Sequence, residues 1–228
     1  SPVDAGSSAS IEPEESDVYE VGYRKSTASG MFELIAFFND YTQLIETCLE
    51  AGGCTGSTGS TTNKGAAEVK GIEFQYRVND LFAAPQMKGS GASTSSTRYP
   101  LLISGMLQDS EYKGQNNTYV GNSIAYVPDF QLYTSLGMVT NNWEINIGAK
   151  YHDDTFTDDL NTFRTGKAFI FDVSAGMDLP MNYGGIKKAR LFANIDNLFD
   201  KTIVASQHNY GSRPNKPLTF MAGVKFDF

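Results

Sequence analysis

L-T-F-M-A-G-V-K-F-D-F, the stretch from Leu218 to Phe228, decides how the rest of the chain is read. Leu218, Phe220, Ala222, Val224, Phe226 and Phe228 are apolar, with Thr219, Met221, Gly223, Lys225 and Asp227 between them. A period of two gives a β-strand one greasy face and one mostly small or polar face. Aromatic ends and a length of about 9–11 residues also suit a strand that crosses an outer membrane. A soluble sandwich can end in an alternating strand too, so this pattern alone leaves both architectures open.

The same alternation recurs back through the chain. It predicts strands at 17–27, 31–45, 66–79, 99–111, 128–140, 142–153, 167–180, 189–203 and 216–228, and no helix-period segment. Phe32, Leu34, Ala36 and Phe38 form one apolar face, and Trp143, Ile145, Ile147, Ala149 and Tyr151 another. Phe169, Phe171, Val173, Ala175, Met177 and Leu179 form a third. Short links at 28–30 and 141–142 alternate with long polar ones at 46–65, 112–127, 154–166 and 204–215. Short turns at one end and long loops at the other describe an outer-membrane barrel with periplasmic turns and extracellular loops. On that alternation the C-terminus is periplasmic, and residues 1–16 are a loop or linker on the extracellular side. The link at 80–98 falls on the short side yet contains P-Q-M-K-G-S-G-A-S-T-S-S-T, a flexible insertion. Nine strands is an odd number, and bacterial barrels of this kind have even ones. The expectation is therefore an antiparallel segment of a larger transmembrane β-barrel.

Composition narrows the class. Of 228 residues, 19% are charged and 12% aromatic, mostly Phe and Tyr, with 22 glycines. No apolar run approaches the roughly 18 residues of a membrane helix. A barrel survives that test, because lumen-facing residues offset lipid-facing ones in any hydropathy average. A net charge of −8 argues against a nucleic-acid partner. The opening S-P-V-D-A-G-S-S-A-S is loop-like and carries no signal-peptide pattern. Cys48 and Cys54 lie in a Gly/Ser/Thr-rich stretch. A small disulfide clamping a loop in an oxidising compartment is the reading, with two free thiols as the alternative. Gly52-Gly53 and Gly184-Gly185 read as turns. No nucleophile-plus-base arrangement, phosphate-cradling loop or paired-carboxylate motif stands out, so the chain reads as no enzyme, with no cofactor.

Several segments, in order, resemble the C-terminal part of the barrel of TonB-dependent outer-membrane receptors, closest to the ferric-citrate and siderophore type. They include E-S-D-V-Y-E-V-G-Y-R at 15–24, A-F-F-N-D-Y-T-Q-L-I at 36–45 and N-K-G-A-A-E-V-K-G-I-E-F at 63–74. V-G-N-S-I-A-Y-V-P-D-F at 120–130 and Y-H-D-D-T-F-T-D-D-L-N-T at 151–162 continue the series. N-I-D-N-L-F-D-K at 194–201, then G-S-R-P at 211–214 and the terminal aromatic strand, complete it. In 211–214 the arginine precedes the proline, a departure from the family's order. The resemblance implies that 17–228 is roughly the last nine strands of a 22-stranded, plugged barrel in the outer membrane of a Gram-negative bacterium. It further implies uptake of a ferric chelate, driven through the plug by the TonB energy-transducing complex. A barrel made of residues 1–228 alone is expected not to transport. The barrel-assembly machinery, outer-membrane lipid and lipopolysaccharide are the other implied partners, with Phe220, Phe226 and Phe228 resembling the terminal assembly signal.

Individual residues follow from that frame. Asn194, Asp196 and Asn197 are polar groups that would face a lumen rather than lipid; with Leu198, Phe199 and Asp200 they form the family motif, read mainly as a structural strand end. Oxygen-rich chelates are met by cationic, amide and aromatic groups, and the extracellular side offers Arg213, Gln207, Tyr210, Arg164 and His208. An alternative for Arg213 is pairing with Asp200. The acids Asp153, Asp154, Asp158 and Asp159 read as a solvated loop, or a surface for lipopolysaccharide-bound cations, ahead of a calcium site. His152 and His208 are isolated in sequence and weak metal candidates. The rival architecture is a soluble extracellular β-sandwich that binds a surface or carbohydrate; within the family, the rival cargoes are cobalamin and oligosaccharide.

Overall fold

A computed structural model describes residues 12–47, 61–63, 65–82, 97–114, 119–183, 185–208 and 211–228. The strands in chain order are β1 (Glu15–Thr27), β2 (Gly30–Thr42), β3 (Ile45–Thr47), β4 (Thr61–Asn63), β5 (Ala66–Val78), β6 (Leu101–Lys113) and β7 (Phe130–Val139). They continue as β8 (Trp143–His152), β9 (Ala168–Tyr183), β10 (Ile186–Asp196), β11 (Val204–His208), β12 (Gly211–Pro214) and β13 (Thr219–Asp227). Nine of them form one antiparallel sheet in the order β1-β2-β5-β6-β7-β8-β9-β10-β13. The sheet is not a closed barrel: β1 and β13 each pair on one side only. The remaining four make two small hairpins, β3 with β4 and β11 with β12, inside the long connections.

The register explains the alternation. Residues directly opposed in an antiparallel pair share a face. Leu34 lies opposite Tyr23 and Phe74, and Leu107 opposite Ile72 and Phe130. Leu136 faces Leu101 and Ile147, while Val173 faces Ile147 and Ile195. The series ends with Val224 opposite Leu191. One face is thus apolar across all nine strands, and slipping any strand by one residue would bring its polar set onto it. On the opposite face, Glu33 lies beside Arg24 and Gln75, Ser104 beside Tyr133, and Asn194 beside Ser174 and Met221. Gly223 is there because the Phe192 ring lies over it; a Cβ would sit 2.5 Å from that ring.

The apolar face is not covered. Val21 is 73% exposed, Ile147 51% and Phe220 67%. A sandwich would bury this face under a second sheet about 10 Å away. Among the described residues no such layer exists, which disfavours the soluble alternative. A continuous apolar surface of this extent is a contact surface rather than a solvated one. The small enclosed cluster is elsewhere, where Ala67, Tyr112 and Tyr119 pack with Tyr41, Leu44 and Ile124 at the long-loop end.

Several boundaries shift by about three residues from the sequence reading, and two strand ends coincide with left-handed backbone. The strand expected over 189–203 ends at Asp196, because Asn197 and Asp200 adopt left-handed backbone with φ of 54° and 48°. The strand expected to reach 45 stops at Thr42, and Gln43 follows at φ 55°. Asparagine and aspartate tolerate that conformation better than other residues with a Cβ.

Candidate functional site

The long connections gather at one end of the sheet, and two of them hold each other. Tyr112, at the end of β6, is fully buried and donates its hydroxyl to Asp159 Oδ1 at 2.9 Å. Asn122 Nδ2 donates to the Asp159 carbonyl at 2.7 Å. Ser123 N donates to Asn161 Oδ1 at 2.8 Å, and Asn161 Nδ2 returns a bond to the Ser123 carbonyl at 2.9 Å. Tyr126 N donates to the Phe156 carbonyl at 2.8 Å. Within the second loop Asp158 accepts from Thr162 N, Thr162 Oγ1 and Phe163 N, closing a turn in which Asn161 has φ 56°. The loop residues 119–129 and 153–167 therefore form one braced unit above β6–β9.

That arrangement corrects the solvated reading of the acidic loop. Asp158 and Asp159 are buried, and their carboxylates are engaged by backbone and hydroxyl donors rather than by water. Asp153 and Asp154 serve a different purpose: Lys167 Nζ lies 3.0 Å from a carboxylate oxygen of each, and Arg164 Nη1 lies 2.8 Å from Asp154. Hydrogen bonds from Arg164 and then Lys167 pull the Asp154 carboxyl down to about 2. The two carboxylates in turn push the Lys167 ammonium upward. Burial, and secondarily the charge of Asp153, raise the Asp129 carboxyl at the foot of the loop. Among the described residues no group of His, Cys, Asp and Glu is arranged to hold a metal ion.

The candidate residues are distributed over two neighbouring connections at this end. Arg164 is stacked on the Phe156 ring, 3.8 Å from its centroid, and its charge is shared with Asp154. Arg213 lies on β12, all of whose residues are exposed, and is in register with Ser206. It does not pair with Asp200, whose Oδ1 accepts from Leu218 N at 2.9 Å. Gln207 and His208 are on β11, with side chains outside the described set. Tyr210, Cys48 and Cys54 lie outside the described residues.

The N-I-D-N-L-F-D run forms a staple between β10 and β13. Asn197 is almost fully buried and donates through Nδ2 to the carbonyls of Lys201 and Lys216. Its Oδ1 accepts from Lys201 N at 2.8 Å, and its own N–H donates to Asp172 Oδ1 at 2.9 Å. Leu198 N donates to the Phe171 carbonyl, and Lys216 pairs with Asp196. Asn197 thus satisfies three backbone groups at a point where two strands diverge. Asparagine supplies both a carbonyl and an amide, so an aspartate could not replace it.

Below the loops, the polar face is hollowed between β2 and β8 into a concavity of about 470 Å³, lined by Glu33, Glu73, Gln75, Gln131, Lys150 and His152 among others. Elsewhere on this polar face and around the concavity Arg24 pairs with Glu33, Lys150 with Asp172 at 2.7 Å, and Arg190 with both Asp178 and Glu144. The apolar face carries rings at both ends. Phe130, Tyr151, Phe169, Phe171 and Phe199 form a chain of ring contacts at the long-loop end, with centroids 4.9–6.5 Å apart. Tyr23 with Phe32, and Phe82 with Tyr99, mark the short-turn end. Two aromatic girdles flanking an aliphatic band on one face, with polar groups on the other, match a bilayer-spanning barrel wall.

Sequence reasoning singled out the acids of this end but missed their partners. Tyr112, Asn122 and Ser123 are 30 or more residues from Asp159 and Asn161 and carry no local signal. The D-D-L-N run at 158–161 did carry one, since Asp and Asn at that spacing favour side-chain-closed turns.

The family described as "TonB dependent receptor-like, beta-barrel" matches residues 2–198. No curated protein sequence matches the chain. Among solved structures, the ferric yersiniabactin uptake receptor FyuA from Yersinia pestis is similar with a TM-score of 0.71 at 20% identity, over 94% of this chain and 30% of that one. The ferric citrate transporter FecA gives 0.71 at 17% identity, over 93% of this chain and 31% of that one. BauA, the ferric preacinetobactin receptor from Acinetobacter baumannii, gives 0.69 at 18% identity, over 98% and 32%. At these identities the likeness is one of fold, and the chain spans about a third of the length of these receptors.

Proposed function

This chain belongs to the TonB-dependent receptor β-barrel family, and on that premise we propose that it forms wall and loops of an outer-membrane receptor that takes up a ferric chelate. Family members are transporters rather than enzymes, and they reside in the outer membrane of Gram-negative bacteria. In the proposed orientation the long loops are extracellular and the short turns periplasmic. The paired charges and amides of the polar face are then the surface against which a plug packs. TonB-driven movement of that plug would release cargo bound from outside.

The observation that best supports a chelate as cargo is the make-up of the loop end. Arg164 is held over Phe156 on a braced loop, and Arg213 is exposed on the neighbouring hairpin. Guanidinium groups recognise the planar oxygen pairs of citrate, hydroxamate and catecholate ligands by paired hydrogen bonds. The test uses the receptor that contains this chain, purified in detergent, with radioiron-labelled ferric citrate and a ferric catecholate as probes. Saturable binding of one of them is expected, weakened about tenfold or more by Arg213→Ala, which corresponds to about 1.4 kcal/mol. Binding of neither probe, together with tight binding of cobalamin or an oligosaccharide, would overturn the ferric assignment.

A further inference from the structure

The link between β5 and β6 is long for a short-turn end, and its two legs are ordered in a specific way. Leu81 N donates to the Tyr99 carbonyl at 2.8 Å, so the legs run side by side. Asp80 Oδ1 accepts from both Phe82 N, at 3.3 Å, and Tyr99 N, at 3.1 Å, tying them with one carboxylate. The return leg is fixed to the next strand: Arg98 and Val139 exchange two backbone hydrogen bonds of 2.8 Å, and Gly137 N donates to the Pro100 carbonyl. The outgoing leg is fixed to the β1–β2 turn, with Asn79 donating to the carbonyls of Ala28 and Ser29. This is a stem, not a slack loop.

The stem presents its apolar groups on one side. By register Tyr99 continues the β6 series of Leu101 and Ile103, which belongs to the apolar face. The Phe82 ring meets the Tyr99 ring edge-on, with centroids 5.0 Å apart, and is still 69% exposed. Leu81 is exposed beside it. Phe82 is in no strand of the sheet, yet it widens the short-turn girdle by one ring. A large aromatic residue left bare by a fixed stem, continuous with the bilayer-facing band, has the surroundings of an interfacial lipid anchor.

We propose that the Asp80 carboxylate, by tying Phe82 to Tyr99, holds the ring of Phe82, a residue outside the sheet, at the boundary between phospholipid headgroups and acyl chains. The identity of the leaflet, the periplasmic one, rests on the orientation proposed above; the lipid contact does not.

The test is spin-label accessibility in the whole receptor, reconstituted in phospholipid bilayers with its other cysteines replaced by serine. Labels are placed by Phe82→Cys, by Leu136→Cys on the apolar face, and by Ser29→Cys in the β1–β2 turn. The ratio of oxygen to nickel-chelate collision is expected to be several-fold higher at position 82 than at 29, approaching that at 136. Adding Asp80→Ala is expected to shift the ratio at 82 toward the aqueous value while leaving 136 unchanged. A ratio at 82 equal to that at 29 would overturn the proposal, and so would protection from both reagents, which would mean that protein covers Phe82. Failure of all ferric probes to bind would leave this result unaffected.

Discussion

One buried hydroxyl supplies a bond of the loop brace that can be removed with little disturbance of the packing around it. Tyr112→Phe keeps the ring that packs 5.8 Å from Tyr119 and deletes the donor to Asp159. Tyr112 is fully buried and Asp159 is 8% exposed, so water cannot readily replace the lost bond. A buried hydrogen bond to a charged acceptor is worth about 1.5–3 kcal/mol. Taking ~2 kcal/mol, the equilibrium for opening the loop pair should shift about 30-fold. The reporters are the amides that depend on the brace: Ser123, Tyr126 and Phe163, each bonded within or across the two loops. Hydrogen exchange read by mass spectrometry on the whole receptor should show these amides exchanging about 30-fold faster, with β7, β8 and β9 unchanged. A change below about threefold would mean that the hydroxyl does not hold the loops together. Equal acceleration through β6–β9 would refute the reasoning differently, by showing that the loops and the wall open as one unit.

Acid should loosen the same region by a second route. The Asp154 carboxyl is lowered from 3.8 to about 2, so its ion pairs contribute fully above pH 3.8 and are lost as pH falls through about 2. With Arg164 and Lys167 half-exposed, the contribution is on the order of 1 kcal/mol after solvent screening; Asp154→Asn should abolish that part of the acid dependence in loop exchange. Ile147→Arg, near the middle of the apolar face, should lower barrel stability by about 2–4 kcal/mol in urea titrations in lipid vesicles, and no loss would count against a lipid-facing wall. Replacing Phe228 by aspartate should cut surface levels of the receptor far more than it alters the affinity of the receptor that does reach the surface. Normal surface levels with weakened binding would count against an assembly role for the terminal strand.

The wall was legible because every strand obeys one period and each is joined to its sequence neighbour, so local pattern and sheet order coincide. Leu34, Ile147 and Val173 fall on the apolar face where alternation alone put them. The ends were less legible. Beyond Asp196 the apolar pattern continues through Leu198 and Phe199, but Asn197 turns the chain with its own side chain and the strand stops. The acids at 153–159 looked solvated because their partners, Tyr112 and Lys167, are brought to them only by the assembled sheet. Arg164 was visible as a candidate, yet its stacking on Phe156 and sharing with Asp154 were not. Which of Arg164 and Arg213 would meet the proposed cargo depends on three-dimensional loop packing, and no spacing rule encodes that.

The two outer strands of the sheet carry a final consequence. β1 runs for 13 residues with hydrogen-bond partners on β2 alone. Among the described residues neither the other margin of β1 nor the far side of β13 is paired with a strand. In hydrocarbon each unpaired backbone group costs several kcal/mol. A sheet with two unpaired margins therefore has no comfortable resting place inside the bilayer, and in water its margins would recruit other strands indiscriminately. Wherever this sheet enters hydrocarbon both margins need hydrogen-bond partners, so insertion and pairing are expected to proceed together.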